Sequence, residues 1–73
     1  MTGRDVFEAR ATLGEMWGLG RPLGPNELAH ALGLSPTNGG STVLAWERGA
    51  KPVTGPVAVA IAAMLAGYRP PGT

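Results

Sequence analysis

The sequence predicts an all-α fold, a compact bundle of four to five short helices. Apolar residues recur at every third or fourth position in each segment that has any regular pattern, which is the helical period. Glycine and proline fall between those segments, where they begin or end helices. No segment alternates apolar and polar residues as a half-buried strand does, so no sheet is expected.

The first helix is predicted over residues 4–17, where Val6, Ala9 and Leu13 would make one apolar stripe. Residues 18–24 contain three glycines and form the following loop. No strand precedes these glycines and no Gly-Lys-Ser/Thr follows them, so the loop is a connection rather than a nucleotide site.

The second helix is predicted over residues 25–32. Pro25 suits the first helical position, where the missing N–H costs nothing, and Gly33 is the expected left-handed stop. Glu27 is placed to accept a hydrogen bond from the Gly24 N–H.

The third helix is predicted over residues 41–48, after a turn that is rich in Ser, Pro, Asn and Gly. Ser41 is the expected N-cap and Gly49 the stop. Val43 and Trp46 are three positions apart and should face the core, as should Trp17.

The fourth helix is predicted from Thr54 to about Ala66, and residues 57–66 contain no polar side chain. A helix packed on one side only normally has a polar back. An inner stripe would take Val57, Ile61, Met64 and Leu65. The remaining apolar residues would lie on the outer side of the helix, and they predict a homodimer interface. These residues are Val59, Ala62, Ala63 and Ala66.

One domain over residues 1–68 is expected, with an extended or frayed Pro/Gly tail over 69–73. The 73-residue chain has no cysteine, so its small core gains nothing from a disulfide. The longest apolar run is well short of the roughly 20 residues that a membrane span needs, and no signal segment is visible. A cytoplasmic protein without membrane contact is therefore expected.

Two segments resemble a known DNA-binding family. Glu27–Ser35 reads ELAHALGLS and Thr42–Gly49 reads TVLAWERG. They resemble the E-L-A-x-x-L-G-L-S and T-V-x-x-W-E-x-G segments of the Cro/phage-repressor (XRE) helix-turn-helix family. The resemblance implies a λ-repressor-like fold and a small phage or prophage transcriptional regulator. It also implies that Glu47 pairs with an arginine of the first helix, for which Arg10 is best placed.

A protein of this family would bind double-stranded DNA as a sequence-specific regulator, most typically a repressor on a two-fold symmetric operator. The helix near 41–48 would enter the major groove with its N-terminal half at the base edges. Hydroxyls, amides and methyl groups can read bases, and basic side chains can neutralise phosphates. The expected DNA contacts are Asn26, Thr37, Asn38, Ser41, Thr42, Ala45, Arg48 and Lys51.

The chain departs from the family pattern at the places where bases are read. Leu44 and Ala45 stand where polar or basic residues are usual, Pro25 replaces a glutamine, and the turn over 36–40 is longer. The longer turn either displaces the recognition helix outward or lets Thr37 and Asn38 do some of the reading. The net charge of only +1 and the apolar Leu44 and Ala45 favour an alternative: a protein-interaction module that keeps the scaffold without reading DNA.

No enzyme is expected. The chain has one histidine, His30, and no set of side chains at a spacing that suggests catalysis. No metal, cofactor or small-molecule substrate is predicted for the same reason.

Overall fold

The structure, a computed structural model, describes all 73 residues and contains four α-helices and no strand. The helices are α1 (Gly3–Met16), α2 (Pro25–Ala31), α3 (Gly39–Glu47) and α4 (Gly55–Leu65). The all-α prediction is confirmed, and the number of helices is four rather than five. No helix is long and apolar enough to cross a membrane.

Helix α1 begins one residue earlier than predicted because Thr2 caps it. The Thr2 hydroxyl accepts a hydrogen bond from the Asp5 N–H at 3.2 Å, and the Asp5 carboxylate accepts one from the Thr2 N–H at 2.7 Å. This reciprocal arrangement satisfies two backbone donors that the helix leaves free. The Thr2 N–H also lowers the pKa of Asp5.

All four helices and the loop before α2 contribute to one core. The predicted stripe of α1 is buried, and Trp46 is buried as predicted. Trp17 is only partly buried and packs against the edge of this cluster. The fully buried side chains are Val6, Leu13, Leu23, Leu28, Val43, Ile61 and Met64.

Helix α4 packs chiefly against α1, and its buried stripe is narrower than predicted. Ile61 and Met64 are buried and Val57 is partly buried, but Leu65 is exposed. The assignment of Leu65 to the core is therefore wrong, because one neighbouring helix covers only a thin sector of α4.

Helix α3 begins at Gly39, two residues before the predicted start. Gly39 and Gly40 were expected in a long turn, but both are buried helical residues. A Cβ at Gly39 would lie 2.6 Å from the Ala29 Cβ, and one at Gly40 would overlap the Asn26 side-chain oxygen. The two glycines therefore let α3 approach α2 closely. Ser41 lies inside the helix and is not its N-cap, which is Asn38.

The C-terminal residues fold back instead of fraying. The Arg69 guanidinium lies 5.0 Å from the centroid of the Trp17 ring. The Gly72 carbonyl lies 3.2 Å from His30 Nε2. These contacts attach the tail, which was expected to be extended or frayed, to the C-cap of α1 and to α2.

We expect Gly39→Ala to destabilise the fold although alanine is the better helix former by about 1 kcal/mol. The added methyl group would force α2 and α3 apart, at a cost of about 1–3 kcal/mol. Gly55→Ala is the matched control, since Gly55 is also the first residue of its helix and its Cβ would meet no atom within 4 Å beyond its two chain neighbours. Thermal unfolding followed by circular dichroism measures both, and equal melting temperatures would contradict the close-packing account.

Candidate nucleic-acid interface

The outward face of α3 is formed by Ser41, Leu44 and Arg48, which are exposed and spaced three and four residues apart. Leu44, which stands where the family usually has a polar or basic residue, is 39% exposed. The Thr42 hydroxyl is half-buried and donates to the Asn38 carbonyl at 3.1 Å.

Ala45 does not belong to this face, so the expectation that it lies on the outer side of the helix is wrong. Ala45 is 7% exposed, and its carbonyl accepts hydrogen bonds from the N–H groups of Ala50 and Lys51 at 2.9 and 3.3 Å. The prediction assumed that α3 buries only the side of Val43 and Trp46. Both α1 and α2 contact α3, and the chain after α3 folds back on it, so the buried sector is wider.

The polar residues around the start of α3 lie at the surface. Thr37 and Asn38 are exposed in the turn before the helix, and the Thr37 N–H donates to Ser35 Oγ at 3.2 Å. Asn38 makes no side-chain hydrogen bond, so its amide group is free to bind another molecule. Asn26 is exposed on α2 and lies against Gly40. The structure thus brings Asn26 to the N-terminal end of α3.

The basic residues Arg48 and Lys51 are exposed around the C-terminal end of α3 and have no acidic partner. The three arginines of the first half of the chain, in contrast, each form an ion pair. Arg4 pairs with Glu8 at 2.9 Å, Arg10 with Glu47 at 2.7 Å, and Arg21 with Glu27 at 2.7 Å. In each pair the carboxylate compensates the positive charge of the arginine. The basic side chains that remain without a carboxylate partner are Arg48, Lys51 and Arg69.

The expected Arg10–Glu47 pair is confirmed. Arg10 donates from Nε and Nη2 to both Glu47 oxygens at 2.7 and 2.8 Å, and from Nη1 to the Leu23 carbonyl at 3.1 Å. The two side chains are 11% and 13% exposed. A bidentate pair with so little water access is directional, so it fixes the C-terminal end of α3 against α1.

The start of α2 is held by Glu27, as predicted. Its carboxylate accepts the Gly24 N–H at 2.7 Å. The sequence did not indicate that Arg21 binds the same carboxylate, at 2.7 and 3.1 Å. Arg21 and then the Gly24 N–H lower the pKa of Glu27 to about 2. This cluster fixes the backbone beside Asn26.

The outer side of α4 is exposed along its length. Val59 is 70% exposed, and the neighbouring Tyr68 is exposed too. The alanines predicted to join Val59 in an interface are also exposed, namely Ala62, Ala63 and Ala66. Nothing in the chain covers this apolar strip.

Comparison with protein-family models, curated proteins and solved structures finds no match for this chain.

We expect Glu47→Ala to destabilise the protein by about 3 kcal/mol, because it leaves the nearly buried Arg10 guanidinium without its partner. Glu8→Ala breaks the exposed pair with Arg4 and should cost about 0–1 kcal/mol. Urea unfolding of the two variants gives both values, and equal losses would show that the Arg10–Glu47 pair contributes no more than a surface pair.

The depressed pKa of Glu27 predicts an acid-dependent loss of stability. The folded chain binds the proton more weakly than the unfolded chain, so the stabilisation is complete above the ordinary value of 4.5 and is lost as pH falls towards 2. The effect should be modest, since the side chain is partly exposed. Melting temperatures of wild type and Glu27→Gln should converge over that pH range, whereas Glu15→Gln should keep the wild-type profile. A constant difference between wild type and Glu27→Gln would contradict this assignment.

Proposed function

We propose that the chain is a sequence-specific DNA-binding regulator of the helix-turn-helix type, with α2 and α3 as the paired helices and α3 in the major groove. The observation that carries the proposal is the surface of α3. Its exposed face is preceded by free polar groups and followed by the unpaired cations Arg48 and Lys51. Base-reading groups at the start of a recognition helix and phosphate-binding groups around it are the arrangement that groove docking uses.

Base reading would fall to residues at the N-terminal end of α3. The free amide of Asn38 suits adenine, and the Ser41 hydroxyl can donate or accept. Leu44 would contact a thymine methyl group, the apolar feature of the major groove. Thr37 and Asn26 border the same end of the helix and would assist through base or backbone contacts.

Phosphate binding would fall to Arg48 and Lys51. Each phosphate that a basic side chain neutralises releases condensed counterions, which gives affinity on any sequence. The small net charge of the chain is compatible with this role, because three arginines are paired with carboxylates and three basic residues, Arg48 and Lys51 among them, have no such partner.

A two-fold operator requires a self-complementary protein surface, and we assign it to the exposed strip of α4. Small side chains at Ala62, Ala63 and Ala66 would let a second copy of the helix approach closely around Val59. A dimer bound over a promoter would repress by excluding the polymerase, and such a regulator would act in the cytoplasm.

A second candidate is a protein-interaction module that does not bind DNA. The exposure of Leu44 on α3 favours it, because an apolar residue at this position also suits a protein partner. Absence of any DNA retardation at low salt would favour this second function.

We expect Arg48→Ala and Lys51→Ala each to weaken binding to all duplexes and to reduce the slope of log affinity against log salt by about 0.9. Asn38→Ala should instead change the sequence preference and leave the slope unchanged. Fluorescence anisotropy with a duplex selected from a random pool and with its scrambled version measures both effects. Arg4→Ala is the control, since the charge of Arg4 is already paired with that of Glu8. Wild-type slopes for the Arg48 and Lys51 variants would contradict the phosphate assignment.

We expect the wild-type chain to sediment as a dimer at the concentrations that bind DNA, and Val59→Glu with Ala63→Glu to sediment as a monomer. Two carboxylates on each copy would repel across the two-fold axis and would lose water on association. Glu15→Lys changes the charge away from α4 and serves as the control. A monomeric wild type, or a doubly charged variant that dimerises equally well, would exclude this interface.

A further inference from the structure

Arg69 is the one basic residue without a carboxylate partner that lies away from the end of α3. Its guanidinium is stacked over the Trp17 ring at 5.0 Å, and the segment that carries it is attached to α2 through the Gly72–His30 contact. Stacking uses the flat face of the guanidinium and leaves its N–H edge available. The side chain is therefore held in place with its donors unused.

A groove leads from Arg69 along α2 to the start of α3. A cavity of about 380 Å³ is bordered by Trp17, Arg69, Asn26 and His30. A second cavity of about 160 Å³ shares Asn26 and His30 and reaches Gly40, inside the first turn of α3. Asn26 and His30 are both exposed and lie one helical turn apart on α2. The groove thus connects Arg69 to the end of α3 that the proposed function places at the bases.

Charge in the groove favours an anion. Glu27 also borders the larger cavity, but both of its oxygens accept hydrogen bonds from Arg21, so it does not neutralise Arg69. Asn26 adds an amide group that can donate to a phosphate oxygen. The apolar wall is formed mainly by Leu19 and Leu23, whose side chains accept no hydrogen bond from these donors.

We propose that Arg69, stacked on Trp17, binds a backbone phosphate of the DNA strand that runs along this groove. The inference rests on the proposed function. Phosphates border the major groove on both sides of a helix that lies in it. Arg48 and Lys51 would bind phosphates on the side of the groove near the C-terminal end of α3. Arg69 would bind a phosphate on the other side, beside α2. A guanidinium can bind a phosphate through two parallel hydrogen bonds.

The test uses the full chain and a fluorescein-labelled duplex, with anisotropy measured over a range of salt concentrations. Arg69→Ala should lower the salt slope by about 0.9 and weaken binding equally on selected and scrambled duplexes. Arg69→Lys keeps the charge and should keep the slope, and Arg4→Ala should match the wild type. Arg69→Gln, which keeps the apolar stem, gives a second neutral variant whose folding is checked by melting temperature.

Phosphate ethylation provides an independent readout. One phosphate whose ethylation blocks wild-type binding should lose that effect with Arg69→Ala or Arg69→Gln. If the wild type binds DNA but the neutral variants keep both its slope and its interference pattern, Arg69 does not contact phosphate and the inference is overturned. If the wild type binds no DNA at all, the proposed function itself is refuted.

Discussion

The bidentate ion pair between Arg10 and Glu47 is the contact on which the arrangement of the helices depends. One guanidinium binds both oxygens of Glu47 on α3 and the carbonyl of Leu23, just before α2. Three segments that are distant in the sequence therefore meet at a single side chain. Its low exposure makes the pair costly to break, because either partner alone would be a nearly buried charge.

The other end of α3 is fixed by packing rather than by charge. Gly39 and Gly40 allow its first turn to touch Ala29 and Asn26 on α2, with no room for a Cβ. A helix held at both ends has little freedom to rotate, so Ser41, Leu44 and Arg48 stay on the outside. A binding surface gains precision when rigid elements support it in this way.

Much of this fold could be predicted from local pattern. The helical spacing of Val6, Ala9 and Leu13 gave the buried side of α1, and the position of Glu27 gave the cap of α2. The Arg10–Glu47 pair could be predicted only from the resemblance to a known family, since nothing in residue spacing relates these positions.

The errors arose where a tertiary contact overrides a local preference. A Gly-Gly pair after Asn38 is typical of a turn, and only the nearness of α2 explains why both glycines are helical. Ala45 was expected on the exposed side of α3. Its burial depends on how α1 and the chain after α3 cover the helix, which the local pattern does not show. The contact of Arg69 with Trp17 joins residues that are far apart in the sequence, so no periodic pattern predicts it.

The central claim is that the exposed face of α3 meets DNA, and an amide-resolved NMR titration of the full chain with its selected duplex tests it most directly. The account predicts that the largest shifts occur at Thr37, Asn38, Ser41 and Leu44, with Phe7 and Glu8 on the exposed side of α1 unmoved. Shifts confined to α1 or α4, with α3 unchanged, would contradict it.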